Sequence, residues 1–301
     1  MDMLRLFNGA MDYIEQNLEG RIDYDQLARL VCSSQFQFAR MFSFLAGVPL
    51  SEYIRRRRMT LAAFELQNSE VKVIDLALKY GYESPEAFTR AFVSVHGMPP
   101  SAARTEGVHL KAYPQISFQI TIQGVTKMDY RIVEREAFTV YGIERIFDMT
   151  GDRNLIEIPR FWKECYDNGE VDKLGETSGM VCGVGDSGRC PVGGLCSYES
   201  DKLKAPYFPY MLFVEKTEKS NSDGYTEVVV PASTWAVFRS EEYTDGDGSV
   251  TAACQNLYKR IYGEWFPTAS YTLISGYELE IYYWSKTGKT YMEVWLRVQP
   301  K

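Results

Sequence analysis

Residues 74–101, IDLALKYGYESPEAFTRAFVSVHGMPPS, decide how the first part of the chain folds, because one short run holds the turn, cap and stop of a helical pair. Ser84 is a helix-capping residue type, and Phe88 and Phe92 lie four apart, on one face of the helix that follows. Gly97-Met98-Pro99-Pro100 ends it, glycine tolerating the left-handed turn and proline refusing to continue. Fifty residues earlier the chain does the same thing. Ser34, Phe38, Arg40, Phe42, Gly47, Pro49 and Ser51 stand to Ser84, Phe88, Arg90, Phe92, Gly97, Pro99 and Ser101 at one ungapped offset. A short helix, a turn, a capped helix and a stop make up a helix-turn-helix unit. Arg40 and Arg90 fall between the paired phenylalanines, so both point off the core face. A capped helix N-terminus also offers unpaired N–H groups to phosphate. A repeated hairpin can be scaffold, as in solenoids, but those usually exceed two copies. Scaffold also gives no reason to repeat an exposed arginine beside a serine cap, so the repeat is read as two DNA-reading units.

Outward from the repeat, helical spacing continues through residues 1–106. An amphipathic stretch from Asp2 or Asn8 to Leu18 stops at Gly20, and Asp23 caps a short helix carrying Leu27, Leu30 and Val31. A long helix is expected from Ser51 to about Leu66, then Val71–Tyr80, Ser84–His96 and a last one opened by Pro99-Pro100. From Ile116 the period becomes two. Strands are expected at Ile116–Ile122, Tyr130–Val133, Phe138–Ile146, Met180–Val184, Tyr210–Val214, Tyr225–Val230, Thr234–Phe238, Tyr277–Tyr283 and Tyr291–Val298. Helices near Asn154–Tyr166 and Val250–Trp265 interrupt them. Tyr130, Val133, Ala137 and Thr139 recur 95 residues later as Tyr225, Val228, Ala232 and Thr234. The expected fold is therefore an α N-terminal domain (1–108, seven helices, two helix-turn-helix motifs) followed by an α+β domain (109–301, duplicated β-β-α-β-β).

Composition narrows the function. The 301 residues carry a net charge of −7, but residues 1–107 hold 12 basic and 13 acidic side chains and are nearly neutral. Four of those twelve are Arg55–Arg58, expected to act on phosphates or in internal pairing. Apolar runs are too short to span a bilayer, and the start lacks a basic-then-apolar signal, so a cytoplasmic protein with free thiols and no membrane partner is expected. Two histidines argue against a histidine-rich metal enzyme or a histidine-based triad. Cys182, Cys190 and Cys196, spaced by eight and six, do not match a zinc ribbon, and buried thiols are expected there in preference to a metal or redox sensor.

The first 106 residues resemble the DNA-binding domain of the AraC/XylS family, above all in residues 74–101. The resemblance implies double-stranded DNA and RNA polymerase as partners, with two recognition helices in neighbouring major-groove segments. Carried over by position, the first would present Ser34, Gln35, Phe36, Ala39 and Arg40, the second Pro85, Glu86, Thr89 and Arg90. Phe36 stands where that family often has tryptophan and Ala39 where it often has glutamine, so readout of adenine by a carboxamide is less available. Residues 112–301 resemble the GyrI-like effector-binding domain, in Ile116–Gly124 leading to Met128-Asp129-Tyr130, in Val230–Phe238, in Gly276–Tyr282 and in Tyr291–Trp295.

The residues of this second half support a ligand reading of their own. Alternation puts Glu278, Glu280, Tyr282 and Trp284 on one strand face, and Tyr291, Glu293, Trp295 and Arg297 on one face of the next. If the hairpin pairs so that Glu280 and Glu293 meet, two carboxylates share an aromatic surface suited to a lipophilic cation. Tyr210, Tyr258 and Trp162 are candidate walls. The alternative is that these are edge strands with solvated glutamates. The expected protein is a one-component transcription regulator sensing a small aromatic or cationic molecule, with no catalytic residues, cofactor or metal. A rival reading makes the GyrI-like part a hydrolase of reactive xenobiotics using Glu293 beside Trp295.

Overall fold

The computed structural model describes residues 3–119, 127–179, 190–198, 203, 206–244, 249–284 and 289–301. The strand expected at Met180–Val184, and Cys182 with it, lie outside them.

The N-terminal part forms α1 (Met3–Gln16), α2 (Tyr24–Leu30), α3 (Gln35–Ala46), α4 (Leu50–Asn68), α5 (Val73–Lys79), α6 (Pro85–His96) and a 3-10 turn at Ala102–Arg104. The two expected units are α2–α3 and α5–α6. Asp23 caps α2 by accepting from the Asp25 and Gln26 amides, and Ser34 and Ser84 cap α3 and α6 by accepting from Gln37 and Ala87. Gly47 and Gly97 end the two reading helices at φ 72° and 81°, a left-handed conformation that costs glycine little. The arginine run is used internally. Arg55 and Arg56 pair with Glu52, Arg57 with Glu15, and Arg58 donates to the Leu18 and Gly20 carbonyls in the turn after α1.

The second part is one mixed assembly of sheet and helix. It comprises β1 (Asp129–Arg135), β2 (Phe138–Asp148), α7 (Asn154–Asp167), α8 (Glu170–Thr177), β3 (Val192–Cys196), β4 (Tyr207–Glu215), β5 (Thr226–Val230), β6 (Ser233–Arg239), β7 (Tyr243–Thr244), α9 (Ser249–Arg260), β8 (Tyr271–Leu273), β9 (Glu278–Trp284) and β10 (Lys289–Pro300). A π-helical turn, Ile261–Trp265, continues α9. The sheet order is β1-β6-β10-β9-β3-β4-β2-β5, with β7 and β8 attached to β10. Exchanging β1, β2, β3 and β4 for β5, β6, β9 and β10 returns the same order reversed. The duplication read from the sequence is thus a pseudo-twofold sheet whose axis runs between β3 and β9.

Residues 116–119 are not in a strand. Their alternation serves a helix face instead: Ile116 and Phe118 pack on the first helical unit, and the Asn8 side chain both donates to the Phe118 carbonyl (2.9 Å) and accepts from its amide (2.8 Å). The second unit has its own core, from Met59 through Leu76, Phe88 and Phe92 to Ala103. The first does not. Phe7, Ile14, Phe38 and Phe42 are continuous with Phe238, Tyr258, Tyr262 and Val294 of the sheet domain. Asp152, in the 3-10 turn before α7, accepts from the Ser51 amide (3.1 Å) and hydroxyl, so the N-terminus of α4, which Pro49 cannot cap, is capped from the other domain.

Candidate effector site and DNA-reading helices

β3 and β9 meet at the pseudo-axis with Cys196 opposite Glu278 and Gly194 opposite Glu280. Glycine at 194 is what lets this centre close: a Cβ there would lie 2.2 Å from the Tyr210 hydroxyl, which accepts from Trp162 Nε1 at 2.8 Å. Tyr282, two residues beyond Glu280, donates to Glu280 Oε2 at 3.2 Å and packs edge-on against Trp162. From α9, the Tyr258 hydroxyl reaches Glu278 Oε1 and Glu280 Oε1, the latter at 2.9 Å. Its single proton serves one acceptor at a time.

Both carboxylates are almost fully buried, at 2% and 3% exposure. Two adjacent buried carboxylates are costly unless a cation joins them. The cation present is Arg40, from α3: Nη1 donates to Glu278 Oε1 at 3.2 Å and to Cys196 Sγ at 3.3 Å, and Nη2 pairs with Glu280 Oε1. Burial weighs against the charge on Arg40, but the carboxylates, Glu280 foremost, hold it protonated well above the ordinary arginine range. Burial pushes the Glu278 carboxyl upward, with Arg40 opposing and Glu280 adding to the rise. The buried Gln37 of α3 also faces Glu278 and the Tyr262 hydroxyl, opposing the rise that burial gives both. Burial also raises Tyr210, Tyr258, Tyr282, Cys196 and Cys254, which keeps these hydroxyls and thiols neutral.

The site therefore brings together Glu280, Tyr282, Tyr210, Tyr258 and Trp162 from the sequence expectation. It leaves out Glu293 and Trp295. Glu293 pairs with Ile281, and Val294 pairs with Glu280, so Glu293 and Glu280 point to opposite faces of the sheet. On its own face Glu293 takes both Arg131 nitrogens (2.6 and 2.9 Å), Trp295 Nε1 (3.1 Å) and the Tyr283 hydroxyl (3.3 Å). The second carboxylate of the pair is Glu278, already placed on the Glu280 face by alternation. Cys196 is a buried neutral thiol at the site, and Cys190 is buried as well. Among the described residues no group of three histidine, cysteine or acidic side chains could hold a metal, and no helix is long and apolar enough to cross a membrane.

The reading helices differ in exposure. On α6, Glu86 and Arg90 are exposed and Pro85 and Thr89 half-buried. On α3, Ser34, Gln35 and Ala39 are half-buried, Phe36 is buried, and the Arg40 side chain is 12% exposed. Arg40 does leave the helical core, as its spacing requires, but it ends in the second domain.

Comparison with known proteins agrees with both halves. Residues 128–299, more than half of the chain, match the GyrI-like small molecule binding domain, and residues 27–106 match a helix-turn-helix domain. The chain is 41% identical over 92 residues to the HTH-type transcriptional activator AarP of Providencia stuartii, covering 31% of this chain and 68% of that one. It is 34% identical over 102 residues to the multiple antibiotic resistance protein MarA of Salmonella typhimurium, covering 34% and 80%. A solved structure, SAV2435 bound to tetraphenylphosphonium, is similar at 20% identity over 57% of this chain and 94% of that one, with a TM-score of 0.42. The chain belongs to the AraC-type helix-turn-helix transcription regulators, with its DNA-binding part joined to a GyrI-like small molecule binding domain.

Proposed function

We propose that the effector is an aromatic cation and that Glu278 and Glu280 are its electrostatic anchor. The observation that carries this reading is the pair of adjacent, nearly inaccessible carboxylates bridged by a guanidinium inside an aromatic lining. A planar amidinium or guanidinium meets the same demands as Arg40, with N–H donors for two carboxylates and a flat face for Tyr258. On the DNA side, Pro85, Glu86, Thr89 and Arg90 of α6 form the accessible reading surface, with Arg90 suited to guanine and Glu86 to the cytosine amino group. Ser34, Gln35, Phe36, Ala39 and Arg40 would form the second surface, and RNA polymerase the downstream partner. The hydrolase reading gains nothing from Glu293, whose two oxygens are taken by Arg131, Trp295 and Tyr283.

The test compares biphenyl-4-carboxamidinium with its neutral isostere, biphenyl-4-carboxamide, by calorimetric titration of the full chain. The ratio of the two affinities is the readout, because any cost of opening the site is common to both ligands and cancels. A buried charge-assisted contact is worth roughly 1.5–3 kcal/mol, so the preference for the cation should fall about 10- to 150-fold in Glu280→Gln. An unchanged ratio places the effector elsewhere.

A further inference from the structure

Helix α3 is buried on two sides. Phe38, Met41 and Phe42 face the core of the first unit, while Phe36, Arg40 and Phe44, four apart along one line, meet the sheet domain. Phe36 packs on Phe208 with ring centroids 4.0 Å apart, and Phe44 stacks on Tyr258 at 4.7 Å. Between them the Arg40 guanidinium carbon lies 4.8 Å from the Tyr258 ring centre and 5.3 Å from that of Phe44. Fifty residues on, the same line of α6 reads Glu86, Arg90 and Ser94, and all three are exposed. The two copies share their caps, core phenylalanines and stops, yet the first carries aromatic residues where the second carries Glu and Ser. Flanking aromatics turn a solvated arginine line into a docking line.

We propose that Arg40 is a built-in competitor of the effector: a cationic ligand enters by displacing its guanidinium from Glu278 and Glu280, and so releases α3 for DNA. This rests on the reading of those glutamates as the effector site and adds how that site is wired to the DNA-binding half. The site holds one cation between its two carboxylates, so Arg40 and an amidinium exclude each other by volume and by charge. A docked α3 cannot enter a major groove, because the groove needs the line that Phe208 and Tyr258 cover. Effector and DNA thus both favour the released helix, and each must tighten the binding of the other by the same factor. The core that the first unit shares with the sheet domain sets the cost of release, and the apparent effector affinity is the intrinsic one scaled by the released fraction.

The experiment is a titration of the full chain with biphenyl-4-carboxamidinium, comparing wild type, Arg40→Gln and Phe36→Glu. The first variant removes the competing charge. The second gives the docking line the residue of the second unit and leaves Glu278, Glu280 and Tyr258 untouched. Each should bind the cation at least about tenfold more tightly than wild type, as expected when a minor competent state becomes the major one. Equal affinities in all three proteins overturn the competitor role while leaving the effector site standing. Absence of cation binding in all three removes the effector reading, and this inference with it. Should Arg40→Gln fail to fold, Phe36→Glu decides by the same two criteria.

Discussion

Replacing Glu293 by Gln separates the two acidic faces of the sheet. The wild-type carboxylate accepts Arg131 Nη1 on Oε1 at 2.6 Å, and on Oε2 it accepts Arg131 Nη2, Trp295 Nε1 and the Tyr283 hydroxyl at 2.9, 3.1 and 3.3 Å. A glutamine in this position must turn its NH2 toward one Arg131 nitrogen or toward three donors at once, and it loses the charge either way. Hydrogen bonds to charged groups are worth about 1.5–3 kcal/mol. The Arg131 side chain is 49% exposed and can rehydrate, so the lower part of that range applies, about 1.5–2 kcal/mol. At about 2–4 °C per kcal/mol for a domain of this size, the thermal midpoint should fall by roughly 3–8 °C. Thermal unfolding and cation titration of the same sample check it: the midpoint drops and the affinity for biphenyl-4-carboxamidinium stays as in wild type. A loss of cation affinity as large as that of Glu280→Gln would refute the assignment of the two glutamates to different faces.

Asp152→Ala removes the cap that the second domain supplies to α4 and should cost about 1 kcal/mol in thermal or urea unfolding, with Asp152→Asn losing less because it keeps an acceptor. His96 is buried, its Nε2 donating to the Met59 carbonyl (3.1 Å) and its Nδ1 accepting from the Lys111 amide (3.3 Å), and burial lowers its pKa below the ordinary 6.5. A depressed histidine contributes stability above its unfolded value that is lost as pH falls through its folded value. Unfolding midpoints should therefore drop on acidification below about pH 6.5, and less steeply in His96→Gln. Gly194→Ala drives a methyl group into the Tyr210 hydroxyl, so it should cost about 1–3 kcal/mol of stability and weaken cation binding through the displaced Tyr210–Trp162 contact, read by unfolding and titration together.

The helical half was legible almost residue by residue, because caps, core phenylalanines and stops act within a few positions of one another. The offset of 50 returned both units, and the offset of 95 returned the two halves of the sheet. The pairing of Glu280 with Glu293 failed for a definite reason. Alternation assigns faces within a strand, whereas the faces of two strands are related by the hairpin register, and a slip of one residue reverses them. Glu278, two residues from Glu280, needed no register and was the better partner. Strand β3 was missed because Val192-Gly193-Gly194-Leu195-Cys196 reads as a loop. Its glycines record the close approach of the Phe213 ring and the Tyr210 hydroxyl, which only the folded sheet reveals. The destination of Arg40 is a contact between residues 40 and 280, beyond any local pattern. Its trace in the sequence was the aromatic line Phe36 and Phe44 set against Glu86 and Ser94 in the second copy.

A crystal structure of the full chain with biphenyl-4-carboxamidinium tests the central claim most directly. The account predicts the amidinium between Glu278 and Glu280, stacked on Tyr258, with the Arg40 guanidinium gone from the site and Phe36 lifted from Phe208. A ligand bound elsewhere, with Arg40 still paired to both glutamates, would contradict it.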